Sequence, residues 1–212
     1  MIAHRDGGPP APLHTVRAAL NAPAAEVRTT AADALHTVLA AQPRPFDTLI
    51  DLWTSVRAPG RAQMASRAGL CRSTLSEPEE LDFRSRGLRD RSKLVRRHAA
   101  GAAGDHLFTP ILPLLNHVAS HDPDEPVRHE ARVAADLIEH GYHLHDQSNN
   151  TDCITLTLLT RGHGWRARVI TAIPRSDADR IGLHAAIARL QHELDEETRD
   201  FDRWCAEAAK DT

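Results

Sequence analysis

The sequence predicts a mainly α-helical protein, a stack of about four helix pairs followed by a β-hairpin and one long C-terminal helix. Three observations predict it. A Val-Arg motif followed by small residues returns as VRTTAADAL from Val27, GRAQMASRA from Gly60, VRRHAAGAA from Val95 and VRHEARVAA from Val127, at steps of 33, 35 and 32 residues. A period of that length marks stacked helical hairpins, in which each unit needs its neighbour to bury its apolar face. Alanine is abundant while aromatic residues make up only 4% of the chain, a composition that suits closely packed helices. After Tyr142 the period stops, and two alternating β-branched segments and a seam of apolar residues at helical spacing take its place.

Residues 1–9 are expected to be disordered and residues 10–142 to hold the helical array. The first pair runs from Pro10 to Ala41. A helix through Val16 and Leu20 breaks at Asn21-Ala22-Pro23, and a second helix carries Val27, Ala31, Leu35 and Val38 as one apolar stripe. Pro43 and Pro45 introduce a second pair, with Phe46, Leu49, Ile50 and Trp53 on its first helix and Met64, Ala68, Cys71 and Leu75 on its second; here Gly60 stands where the motif has valine. The third pair starts at Glu77-Pro78-Glu79-Glu80, has Leu81 and Leu88 as anchors, and continues as SKLVRRHAAGAAGD, whose small side chains allow a close helix approach. In the fourth pair Ile111, Leu112, Leu114, Leu115 and Val118 precede the turn His121-Asp122-Pro123-Asp124-Glu125-Pro126. Its second helix spans Val127 to Glu139 and ends at Gly141 as a glycine C-cap does.

Residues 143–152 read as a polar linker and 153–212 as a hairpin with a C-terminal helix. CITLTLLT and WRARVITAI form the strands, joined at Arg161-Gly162-His163-Gly164. The final helix opens after Pro174 with Ser176 as N-cap and presents Leu183, Ile187, Leu190, Leu194, Phe201, Trp204 and Ala208. A lone hairpin is marginal in water, so the two elements must cover each other, the end of the array, or a second copy of the chain.

The segment FTPILPLLNHVASHDPDEPVRHEARVAADLIEHG resembles a HEAT repeat, including the variety found in phycobilisome-lyase-like proteins, and the resemblance extends over residues 10–142. It implies a right-handed α-solenoid whose second helices line a concave, partner-facing side. It also implies that Arg28, Arg61, Arg96 and Arg128 tie neighbouring turns together through aspartates such as Asp122 or Asp124 and through turn carbonyls. HEAT-like arrays serve mostly as protein-interaction surfaces, and a few, such as the HEAT-like alkylpurine DNA glycosylases, are enzymes.

The three cysteines, Cys71, Cys153 and Cys205, are odd in number and widely spaced, which gives neither a disulfide framework nor a thiolate zinc site. The first residues hold no apolar run of signal-peptide length, and nowhere do about eighteen apolar residues follow one another. The expectation is therefore a cytoplasmic protein with no membrane contact. No phosphate-binding glycine loop and no GxSxG occurs, so no catalytic residues and no cofactor are assigned.

Net charge is −3 but unevenly distributed. Arg84, Arg86, Arg89, Arg91, Lys93, Arg96 and Arg97 face only Asp90, whereas residues 122–152 carry eight acids against Arg128 and Arg132. Arg89, Lys93, Arg96 and Arg97 fall three or four apart and can present one patch to an acidic protein or to phosphates. On the second helices Arg97, His129, Arg132 and Asp136 are expected to be exposed while Val95, Ala99, Val127, Ala131 and Ala135 pack inward. These seven polar residues are the expected partner-binding set. Two readings stand on it: an adaptor that binds a protein on the concave face, and a nucleic-acid-binding protein docking through Arg84 to Arg97. A homodimer through the C-terminal region is left open. Fourteen histidines, with His117, His121, His129, His140, His143 and His145 crowding one region, read as surface placement, and no metal is assigned.

Overall fold

A computed structural model describes residues 12–146, 152–162 and 165–208. The protein is mainly helical, with one small antiparallel sheet. Its helices are α1 (Leu13–Leu20), α2 (Ala25–Asp33), α3 (Leu35–Ala40), α4 (Pro45–Ser55), α5 (Ala58–Ser66), α6 (Glu77–Leu88), α7 (Lys93–Asp105), α8 (Leu112–His121), α9 (Glu125–His140), α10 (Arg175–Ile181) and α11 (Leu183–Ala208). Short 3₁₀ segments occupy Ala68–Ser73 and Thr109–Ile111. The strands are β1 (Tyr142–Leu144), β2 (Cys153–Gly162) and β3 (Trp165–Pro174), in the order β1-β2-β3. The chain packs as two compact units, Met1–Ala103 with Pro113–Ala131 and Gly104–Leu112 with Arg132–Thr212.

The first unit buries the apolar stripes that the periodicity predicts. Leu20, Leu35, Leu39, Leu49, Leu52, Met64 and Leu115 have fully buried side chains, and Trp53 meets the edge of buried Phe83 with ring centroids 5.1 Å apart. Val95, Ala99, Val127 and Ala131 are buried as expected. Val27 is not: it is 44% exposed, and the stripe begins at Ala31. The helix expected from Val27 to Val38 breaks at Ala34 into α2 and α3, and the second helix of the second pair stops at Ser66 and continues as a 3₁₀ turn. Gly60 replaces the motif valine for a steric reason. A Cβ there would stand 2.3 Å from the Leu20 carbonyl oxygen and 2.4 Å from a Val56 methyl, so only glycine lets α5 approach this closely. α6 opens with the reciprocal Ser76–Glu79 capping box.

The motif arginines repeat one set of contacts. Each guanidinium donates to carbonyls at the preceding turn: Arg28 to Ala22 and Pro23, Arg61 to Val56, Arg96 to Asp90 and Arg91, Arg128 to Asp122. Arg61 and Arg96 also reach forward in bidentate pairs with Asp90 and Asp122. The planar fork of arginine suits this double duty, which lysine could not perform.

The second unit differs from the expected hairpin. Tyr142–Leu144, expected as the end of the helical array at Tyr142 and as linker from His143, is a third strand, with Tyr142 opposite Leu158 and Leu144 opposite Leu156. Both faces of the sheet are covered. Ile154, Leu156, Leu158 and Ile173 pack with Ala178, Ala186 and Ile187 of α10 and α11, and Leu159 on the other face packs with Val133 and Leu137 of α9 and with Leu107. The single final helix expected after Pro174 is two, because Gly182 takes φ +84° between α10 and α11. Ser176 lies inside α10 and Pro174 stands at its N-cap. Gly141 closes α9 with φ +81°, as its C-cap position requires. Leu190 and Leu194 are partly buried against the sheet, while Phe201 and Trp204 are 58% and 64% exposed. The expectations for residues 1–9, for His163–Gly164, and for the Cys71, Trp165 and Ala208 side chains fall outside the described residues.

Candidate functional site

The arginine-rich run does not form one free patch, because most of it is paired. Arg84 is buried and bonded one turn back to Glu80, and Arg86 pairs with Asp82 at 2.9 Å. Lys93 meets Asp124 at 3.0 Å, and Arg97 approaches Glu130 at 4.0 Å. Arg96 is consumed by Asp122 and by the carbonyls of Asp90 and Arg91. Of the seven basic residues, only Arg89 and Arg91 have no ion pair among the described residues, and both are exposed.

These two arginines line a cleft of about 430 Å³ in the first unit. Trp53 and Thr54 come from α4, Arg61 from α5, Asp82 and Arg86 from α6, and Arg89, Asp90 and Arg91 from the turn into α7. Arg61 forms its inner wall. Its guanidinium carbon lies 5.9 Å from the centroid of the Trp53 ring, and its nitrogens bond Asp90 at 2.8 and 3.0 Å. Burial would push the Asp90 carboxyl up, but the Arg61 guanidinium and the Ser92 amide outweigh it and hold Asp90 below the usual carboxylate range. Asp90 therefore stays ionised and locks Arg61 in place. Asp82 holds Arg86 on a side chain about half exposed. The cleft thus presents four guanidinium groups against two carboxylates, over a tryptophan edge. It has the chemistry to receive anions, and its lining lacks any nucleophile-and-base pair.

The remaining expected residues are placed elsewhere. Arg97 is 59% exposed on its side chain, and His129 is exposed on α9. In the second unit Arg132 is exposed, Ala135 is buried, and the Asp136 carboxylate lies 2.6 Å from His143 Nδ1. Of the expected set, only Arg89 lies in the cleft. Arg86 and Arg91 belonged to the basic run, but Trp53 and Arg61 were seen only as a core aromatic and a structural arginine. Asp90 at the turn, 29 residues beyond Arg61, was the available signal for that end of the cleft. Comparison with protein-family models, curated proteins and solved structures finds no match.

Proposed function

We propose that the protein is a non-catalytic binding module, a right-handed HEAT-like solenoid of four helix pairs, that takes an acidic segment of a partner protein at the Arg86–Arg89–Arg91 cleft. The pairing pattern carries this reading. Glu80, Asp82, Asp122, Asp124 and Glu130 neutralise most of the basic run and leave two arginines with no ion pair among the described residues, beside an arginine-backed tryptophan. That local, pocketed charge fits one or two carboxylates better than a phosphate backbone, which needs a long uninterrupted basic stripe. The recurrent arginine-to-turn contacts support the HEAT-like reading, since the resemblance assigns the motif arginines that role.

Fluorescence anisotropy against a glutamate-rich peptide and against duplex DNA, at rising salt, tests the proposal. The peptide is expected to bind at low salt, and Arg89→Ala combined with Arg91→Ala to weaken it about tenfold or more, the loss of one or two charge-assisted hydrogen bonds. Tight DNA binding with a steep salt slope, abolished by the same substitutions, would favour the nucleic-acid reading instead.

A further inference from the structure

The second unit brings together histidine chemistry that the cleft does not use. His143 lies on β1 and His145 one residue past its end, where the His145 backbone N–H still donates to the Thr155 carbonyl and continues the ladder, so the two side chains, two residues apart, leave the same face. His143 is 8% exposed, and its Nδ1 donates to the Asp136 carboxylate across 2.6 Å. That bond fixes the tautomer that puts the imidazole lone pair on Nε2, as the carboxylate behind a metal-binding histidine does. His145 is held at the end of the strand by its backbone N–H, which donates to the Thr155 carbonyl, and by its Nε2, 2.8 Å from the Thr157 hydroxyl. The two rings stand at 89° with centroids 5.0 Å apart, and their ligand nitrogens lie within 4.8 Å of each other. Tetrahedral zinc with bonds of about 2.0–2.1 Å holds its nitrogen ligands roughly 3.4 Å apart, a gap closed by small ring rotations.

We propose that His143 and His145, oriented by Asp136, form a binding site for a divalent transition-metal ion of the zinc class. Imidazole nitrogens select such ions over magnesium or calcium. A purely structural His143–Asp136 bond would not require a second imidazole on the same face, and an exposed histidine would not require a carboxylate to orient it.

The test is isothermal titration of the full-length protein, stripped with a chelator, with zinc chloride. One zinc per chain is expected, with binding lost in His143→Ala and in His145→Gln. Asp136→Asn keeps the size of the side chain and removes the orienting charge, and is expected to weaken binding about 10- to 100-fold. Circular dichroism of each variant separates loss of ligation from loss of fold, and His145→Gln, at a half-buried position, supplies the informative arm if His143→Ala unfolds. The stacked pair His117 and His121 on α8, with ring centroids 4.6 Å apart, is the internal control. Zinc binding that survives both His145→Gln and Asp136→Asn, or that vanishes only when His117 and His121 are replaced, would overturn the proposal.

Discussion

Asp122 ties two motif arginines to one turn. Its carboxylate accepts from Arg96 at 2.6 and 2.9 Å and from the Asp124 amide at 2.9 Å, while its own carbonyl accepts from Arg128. Only 8% of the residue is exposed. Removing the charge would leave the Arg96 guanidinium desolvated with half its partners, so Asp122→Asn is expected to destabilise the protein by about 2–4 kcal/mol in urea unfolding. Lys93→Ala, at a side chain 73% exposed, is expected to cost about 0–1 kcal/mol. Burial pushes the Asp122 carboxyl up, but the hydrogen bonds from Arg96 and Asp124 outweigh it, and Asp122, like Asp90, titrates below the ordinary value of 3.8. The unfolded chain then binds more protons than the fold near that pH. The stability these pairs supply is complete above the ordinary value and lost as pH falls through the lowered one. Urea midpoints of wild type and Asp122→Asn should therefore converge as pH is taken from 6 toward 3.

At the scale of elements, close approach decides which residues are tolerated. A Cβ on Gly87 of α6 would lie 2.8 Å from the Ala99 Cβ of α7, so Gly87→Leu is expected to overpack that contact and lower stability by about 1–3 kcal/mol. An unchanged melting temperature would show that α6 and α7 pack more loosely than these distances state. The exposed end of α11 gives the opposite expectation. Phe201 and Trp204 contact each other, with centroids 6.0 Å apart, but are mostly exposed, so replacing both with Ser should change stability by less than about 0.5 kcal/mol. The elements themselves were largely legible. The 3.6-residue stripes through Leu35 and Val38, Leu49 and Trp53, and Leu115 and Val118 predicted helices that the structure contains. β1 was not legible, because Tyr142–Leu144 is only three residues long and runs into the polar segment that follows it, and it becomes a strand only through the ladder that Leu156 and Leu158 offer it.

At the scale of the whole molecule, the sheet of the second unit is a buried layer rather than an appended arm. Leu159 covers Val133 and Leu137 on one face, and α10 and α11 cover Ile154, Leu156 and Leu158 on the other. Deleting residues 151–212 would strip the cover from Val133 and Leu137, and the truncated chain is expected to bind hydrophobic dye and aggregate on heating. A truncated protein that stays monomeric and melts where the full chain does would show that α9 needs no sheet against it. Among the described residues no helix is long and apolar enough to cross a membrane.

The sequence by itself determined the helical character of the body, the recurring arginines, the turn aspartates and the position of the two long strands. These follow from local periodicity and turn chemistry, which a linear reading can count. Only the tertiary structure decided which charges are consumed and which are left. Arg84 and Arg97 look alike along the chain, yet one is buried against Glu80 and the other is 59% exposed, because helix packing rather than sequence spacing sets desolvation. The same holds for the histidines: His143 and His145 differ from His117 and His121 only once a strand and the Asp136 carboxylate stand beside them. Long-range pairing fixes what a polar side chain meets, and that meeting is what the sequence does not encode locally.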